Sequence, residues 1–311
     1  MRILLLGANG QLGRTFLDQG GLSARGELIA ASRDGVLTAG GSGEIADLSI
    51  PASLPALLDR VRPDVIVNAA AYTAVDRAEQ EEALATRVNG EAVGALGHWA
   101  AAHGALLIHY STDYVFDGKQ AQPYAVDAPT GPLGAYGRSK LAGEQALRNS
   151  GADHFIFRTA WVYAAHGHNF LRTMLRLGAE RDELRVVSDQ HGAPTDTGLI
   201  VDGTLAALDR WLQSDGARRR VLAGTHHLVA SGATTWHGFA SAIFDEAAAL
   251  GLLAHPPRVV AIGSAEFPTP AVRPAWSLLD NGGFLQYFDF PLPDWQHGLY
   301  DVMRRLAASG H

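Results

Sequence analysis

Tyr136-Gly-Arg-Ser-Lys140 sets a phenol and an ammonium four residues apart, which on a helix puts both on one face. There the cation can sit under the phenol oxygen and favour its ionised form. A free phenol has a pKa of about 10, so a tyrosine that gives and takes protons near neutrality needs such a neighbour. Two common residues at this spacing recur by chance, and the pair gains weight from what precedes it. Ser111-Thr112-Asp113 ends the apolar run that starts at Ala105. A hydroxyl there can hydrogen-bond a carbonyl oxygen beside Tyr136 as charge develops on it. Asp113 either orients a substrate hydroxyl, assists protonation, or caps the following turn, the usual task of such a residue after a strand.

These groups need a scaffold. Arg2 to Leu6 reads as a buried strand, followed by Gly7-Ala-Asn9-Gly10-Gln11-Leu12-Gly13 and a helical stretch from Arg14. Strand, glycine turn and helix together form a dinucleotide-binding fingerprint. The glycines admit close backbone approach to a pyrophosphate, and the helix N-terminus stabilises its charge. A second strand, Leu28 to Ala31, ends in Ser32-Arg33-Asp34, where such folds meet the adenosine ribose. A carboxylate there suits a free 2'-hydroxyl and an arginine a 2'-phosphate. Both are present; Arg33 comes first and Ser32 adds a hydroxyl donor, which favours NADPH and leaves NADH open. Asp47 and Leu48, just after the Gly40 to Gly43 loop, reach the adenine side.

Val65 to Val67 reads as a central parallel strand running into Asn68 and then Ala69-Ala70-Ala71-Tyr72. Small side chains at a strand's carboxyl end let a flat cofactor lie against the backbone. Residues 74–97 read as one long helical region, in which Asn89 can support Lys140 through water. Phe155 to Phe157 is a further strand, and Trp161 beyond it is either a stacking surface or core.

The alternation of strands and helices weakens after about residue 165. The expected fold is therefore α/β: a Rossmann-type doubly wound parallel sheet from residues 1–165 and about 196–230, with a smaller C-terminal substrate domain from about 166–195 and 231–311. In the second unit Asn169 opens a helix, and Gln190 sits in a glycine- and proline-containing loop. Arg273, in a proline-rich loop, is either a bidentate clamp for a diphosphate or a surface arginine.

Composition removes other chemistries. The chain has 311 residues, 47% of them hydrophobic, enough for a large core. It has no cysteine, which excludes thiolate catalysis, disulfides and cysteine zinc sites and fits a cytoplasmic protein. A net charge of -7 argues against a broad nucleic-acid surface. No apolar run is long enough to cross a bilayer, so no membrane partner is expected. The 13 histidines show no zinc spacing, and His226 and His227 face opposite ways along a strand, so no metal site is expected.

The blocks Gly7-x-x-Gly-Gln-Leu-Gly13, Val65-Ile-Val-Asn-Ala-Ala-Ala-Tyr-Thr-Ala-Val-Asp76 and Ser111-Thr-Asp-Tyr-Val-Phe-Asp-Gly118 continue in order into Tyr136-Gly-Arg-Ser-Lys140 and Phe157-Arg-Thr-Ala-Trp-Val-Tyr163. Asn169-Phe170, Asp189-Gln-x-Gly-Ala-Pro-Thr195 and Pro268-Thr-Pro-Ala-x-Arg-Pro274 complete the series. Across nearly the whole chain this pattern resembles the extended short-chain dehydrogenase/reductases, and within them the dTDP-4-dehydrorhamnose reductases. The resemblance implies hydride transfer from NADPH or NADH to the 4-keto group of dTDP-4-dehydro-L-rhamnose. It implies Tyr136 as proton donor and Lys140 as the residue that holds the nicotinamide ribose and tunes Tyr136. Thr112 and Asp113 would contact the sugar near its carbonyl, and Trp161 would line the substrate site. Cofactor contacts would fall on Gly7, Gly10, Gln11, Leu12, Ser32 or Arg33, Asp47, Leu48, Ala69 to Tyr72, Tyr136 and Lys140.

Some members of the family form a magnesium-linked dimer through a glutamate two residues after the third glycine. Thr15 stands there in this chain, which leaves Mg2+ and that dimer without support and a homodimer of another kind open. Two other readings stand beside the reductase: a nucleotide-sugar epimerase or dehydratase that recycles its NAD, and a dinucleotide-binding regulatory subunit. Intact Thr112, Tyr136 and Lys140 count against the last.

Overall fold

The computed structural model describes residues 1–309. Six strands, Arg2–Leu6 (β1), Glu27–Ser32 (β2), Glu44–Ile45 (β3), Val65–Asn68 (β4), Leu106–Thr112 (β5) and His154–Thr159 (β6), join an edge strand, Gly224–His227, in one parallel sheet. The spatial order is edge strand, β6, β5, β4, β1, β2, β3. β4 and β5 are buried along their whole length, as strands paired on both sides and covered on both faces must be.

Side-chain alternation along β1 feeds two cores. Ile3 and Leu5 pack with Val65, Val67 and Ile108 on one face, and Leu4 and Leu6 with Ile66, Leu107 and Ile156 on the other. Helix Thr197–Leu212 covers the first through Ile200, Leu208 and Trp211; helix Ala92–His103 covers the second through Val93, Leu96 and Trp99. Burying each such leucine or valine contributes about 2 kcal/mol.

The region read as one helix over residues 74–97 is broken into Val75–Ala78, Glu82–Thr86 and a π-helical turn, Arg87–Glu91, that runs into Ala92–His103. A third core, with Leu171, Met174, Val186, Phe239, Phe244, Leu299 and Met303, is built by helices Phe170–Glu180, Trp236–Ala249 and Trp295–Ala308. These pack on the parallel pair Glu183–Val187 and Arg258–Ile262. No helix among the described residues is long and apolar enough to cross a membrane.

The strand order reverses at β1, which has β2 on one side and β4 on the other. Chain leaving β1 and β4 must therefore diverge, and a crevice opens beyond their carboxyl ends.

Candidate active site

A cleft of about 1210 Å³ occupies that crevice. Gly7 has φ 77°, and a Cβ on it would stand 2.6 Å from the Ala70 nitrogen; a Cβ on Gly13 would collide with the Gly7 carbonyl oxygen. The turn, the loop after β4 and the helix Gln11–Gln19 therefore interlock only through glycine. Gly10 is the N-cap of that helix without a side-chain cap, and the first turn carries no acidic residue, so its N–H groups are free to meet an anion. Asn9 ties the turn to the next loop, donating to the Val36 carbonyl at 2.7 Å and accepting from the Thr38 nitrogen at 2.9 Å.

Ser32, Arg33, Asp47, Leu48 and Ala69 to Tyr72 line the same cleft. The Ser32 hydroxyl is turned into its own loop, with the Asp34 carboxylate at 3.1 Å and the Val36 carbonyl at 2.9 Å, so its proton is already engaged. The expectation that Ser32 adds a donor to a phosphate is corrected accordingly, and the exposed Arg33 is left as the cation there. Hydrogen bonds from the Val36 N–H and from Ser32 hold the Asp34 carboxyl below its ordinary range.

At the end of β5, Thr112 Oγ1 donates to Asp113 Oδ1 at 2.9 Å and accepts from the Tyr114 nitrogen at 3.2 Å. Tyr136, on helix Ala135–Asn149, is half-buried at the cleft and meets Tyr114 edge-on, ring centroids 5.7 Å apart. Its phenol is raised above the ordinary value, first by burial and then by the Asp113 charge, against a hydrogen bond with Thr112. This corrects the expectation drawn from the Tyr-Lys spacing. Lys140 is 2% exposed and sends its side-chain nitrogen into the sheet, donating to the Tyr110 carbonyl, with His109 Nε2 at 3.4 Å. Helical spacing aligned the two residues, but the four-carbon stem of Lys140 carries its charge elsewhere. A raised phenol is fully protonated through the neutral range, the state from which a tyrosine acts as an acid.

Asp113 is 2% exposed and burial pushes its carboxyl up to about 6, opposed by the hydrogen bond from Thr112. Its Oδ2 is buried without a partner among the described residues. Asn89 does not reach Lys140: it accepts from the Tyr72 nitrogen at 2.8 Å and donates to the Tyr72 carbonyl and to Ser139 Oγ. It therefore clamps the loop after β4 to the helix of Tyr136.

The far wall is aromatic. Trp161, with φ 48°, stacks on Trp236, which also meets Phe170; all three line the cleft. Asn169 caps helix Phe170–Glu180 by accepting from the Arg172 nitrogen, and donates to Gln11 Oε1 at 2.7 Å. Gln190 donates to Ser264 Oγ at 2.9 Å, and Arg273 is paired with Asp76 at 2.9 Å. None of these three is among the residues lining the cleft, so a clamp at Arg273 would first have to leave Asp76.

Lining residues that the sequence did not single out include Tyr114, Phe170, Trp236 and the pair Arg77 and Glu81, joined at 2.7 Å. Only the last had a readable signal, opposite charges at i,i+4.

The family model described as RmlD substrate binding domain matches residues 1–308. The dTDP-4-dehydrorhamnose reductase of Burkholderia thailandensis is 45% identical over 314 residues, covering 99% of this chain and 100% of that protein. The chain belongs to the dTDP-4-dehydrorhamnose reductase family. Two solved members agree in shape. The Clostridium acetobutylicum reductase has a TM-score of 0.86 at 32% identity, covering 98% of this chain and 99% of that one. The Bacillus anthracis reductase, in complex with NADP, has a TM-score of 0.84 at 30% identity with the same coverage.

Thr15 joins two helices. It is 4% exposed, and its hydroxyl meets the Gln11 carbonyl at 2.9 Å and Thr197 Oγ1 at 2.8 Å, locking the first helix to Thr197–Leu212. Among the described residues no group of three or more histidine or carboxylate side chains is placed to hold an ion.

Proposed function

We propose that this reductase converts the 4-keto group of dTDP-4-dehydro-β-L-rhamnose to the alcohol of dTDP-β-L-rhamnose, with NADPH the preferred reductant and NADH a poorer one. The glycine cradle at Gly7 and Gly13, and the uncapped helix that starts at Gln11, fit a pyrophosphate. Gly7, Asn9, Gly10, Gln11 and Leu12 hold it; Arg33, Asp47 and Leu48 take the adenosine end, and Ala69 to Tyr72 the nicotinamide side. When bound, the dinucleotide supplies the hydride.

The observation that carries the reading is that the Tyr136 phenol, Thr112 and Asp113 line one cleft together with the glycine turn. Tyr136 gives its proton to the ketone oxygen as negative charge grows there, and Thr112 hydrogen-bonds the same oxygen. Lys140 holds the cofactor ribose. Asp113 orients a sugar hydroxyl through Oδ2, which has no partner among the described residues. Trp161 forms the sugar wall, while Asn169 acts by holding Gln11, and Gln190 and Arg273 by shaping the loops around the site.

We assign residues 1–165 and about 196–230 to the dinucleotide and about 166–195 and 231–311 to the sugar nucleotide, and place the reaction in the cytoplasm, where a cysteine-free chain needs no oxidising compartment.

The test is to mix the protein with dTDP-4-dehydro-L-rhamnose and NADPH and identify the sugar. Loss of NADPH matched by dTDP-L-rhamnose is the expected result. An epimer formed with no net loss of NADPH would favour an epimerase and overturn the assignment.

A further inference from the structure

Behind Lys140 lies a buried polar chain that the reaction above does not use. Asn68, His109 and Lys140 are 1%, 0% and 2% exposed. The Ala70 N–H, which can only donate, meets Asn68 Oδ1 at 3.3 Å, and this fixes which end of the amide faces onward. Asn68 Nδ2 therefore donates to His109 Nδ1 at 3.2 Å. A neutral imidazole that accepts at Nδ1 carries its hydrogen on Nε2, and Nε2 faces Lys140 Nζ at 3.4 Å. Nζ must then accept from the ring while donating to the Tyr110 carbonyl. Only an uncharged amine can accept, since an ammonium has no lone pair.

We propose that Asn68 and His109 are positioning residues that couple the ionisation of Lys140 to the Ala70 loop, the contacts just described being those of its neutral form. Ionisation reverses every link. The proton on Nε2 passes to Nζ, one proton from solvent arrives at Nδ1, and the imidazole stays neutral in its other tautomer. His109 Nδ1–H then faces the Asn68 amino group, two donors against each other. The amide must turn over to accept from it, which leaves the Ala70 N–H without its acceptor. Ala70 lines the cleft, so an occupant of the cleft that supplies an acceptor there favours the charged lysine.

The electrostatics put the change of form on the alkaline side of neutrality. Burial brings Lys140 down to about 8, opposed by Glu144 one turn along its helix, which is itself held by Arg158 of β6 and by Arg148. Burial, Lys140 and His154 of β6 push His109 well below the ordinary histidine value, so the ring itself does not charge.

The inference rests on Lys140 belonging to the reductase site, and its first test needs no turnover. In cofactor-free protein labelled with ¹⁵N-histidine, the His109 resonances, assigned by their loss in His109→Phe, should show Nε2–H above about pH 8 and Nδ1–H below it. A single tautomer held from pH 6 to pH 10 would overturn the inference, whatever the reduction assay gives.

The second test uses kcat/KM against pH. Asn68→Asp accepts from Nδ1–H, so the ring presents a lone pair to the ammonium, and the alkaline limb should move up by about one pH unit or more. In the His109→Phe background the same substitution should move it little. An equal shift in both backgrounds would mean that the carboxylate acts through space, and the relay would be discarded. Should Asn68→Asp not fold, the tautomer measurement on the unaltered chain still decides.

Discussion

Trp161 lies flat on Trp236, ring centroids 3.6 Å apart and planes within 5°, and fills the space that a side chain at Gly192 would need. This aromatic wall of the cleft is thus assembled from three separated segments. A stacked aromatic pair contributes about 1 kcal/mol beyond the area it buries. Trp236→Ala should therefore raise KM for the sugar nucleotide by roughly 5-fold to 10-fold, with kcat within about 2-fold, because Trp161 loses its support but the phenol does not. Steady-state kinetics with the sugar nucleotide varied checks this; an unchanged KM would remove the wall from binding.

Asp113 sets a pH dependence of stability. Its carboxyl titrates near 6 when folded against an ordinary 3.8, so between those values the folded chain binds more protons than the unfolded one. Stability then falls as pH rises through that window, and the loss is complete above it. Asp113→Asn should raise stability at pH 8 by up to about 3 kcal/mol, and the gain should vanish near pH 4, while turnover drops. Thermal melts of both proteins across pH 4 to 8 decide; a gain that does not change with pH would contradict the assigned cause.

Arg33 is exposed and lines the cleft, and the Ser32 hydroxyl beside it is engaged within its loop. A charge-assisted contact with a 2'-phosphate is worth about 1.5 kcal/mol or more. Arg33→Ala should raise KM for NADPH about 10-fold and leave that for NADH nearly unchanged. Equal losses with both reductants would remove the 2'-phosphate contact.

The Gly13 position has no room for a methyl group, since Gly7 backbone already occupies it. Gly13→Ala should force the turn away from the helix, destabilising the fold by about 1 to 3 kcal/mol and weakening dinucleotide binding at least 10-fold. Melting curves with and without NADPH read both effects; a normal ligand-induced rise in Tm would show that the cradle tolerates the change.

The sheet was readable because strands buried on both faces need unbroken apolar runs, as in Ile3 to Leu6 and Val65 to Val67, and because glycine before a helix has few other uses. The helical region over 74–97 was read too simply: its propensity is continuous, while the chain breaks after Ala78 and passes through a π-helical turn, Arg87–Glu91, in which Asn89 bonds Tyr72 and Ser139. Lys140 shows a second boundary, since periodicity assigns a residue to a face and says nothing of where a flexible side chain ends. Arg273 shows a third. Its partner Asp76 lies 197 residues earlier, and nothing local marks the pair. Trp236 went unremarked because a tryptophan lining a cleft and one filling a core leave the same trace in sequence.

The central claim is that the Tyr136 hydroxyl delivers the proton as the ketone is reduced. Single-turnover oxidation of prebound NADPH by dTDP-4-dehydro-L-rhamnose tests it directly, comparing the wild type with Tyr136→Phe at saturating cofactor. The account predicts a rate lowered by about 10²-fold to 10⁴-fold with NADPH affinity within about 3-fold. A variant that transfers hydride at the wild-type rate would contradict it.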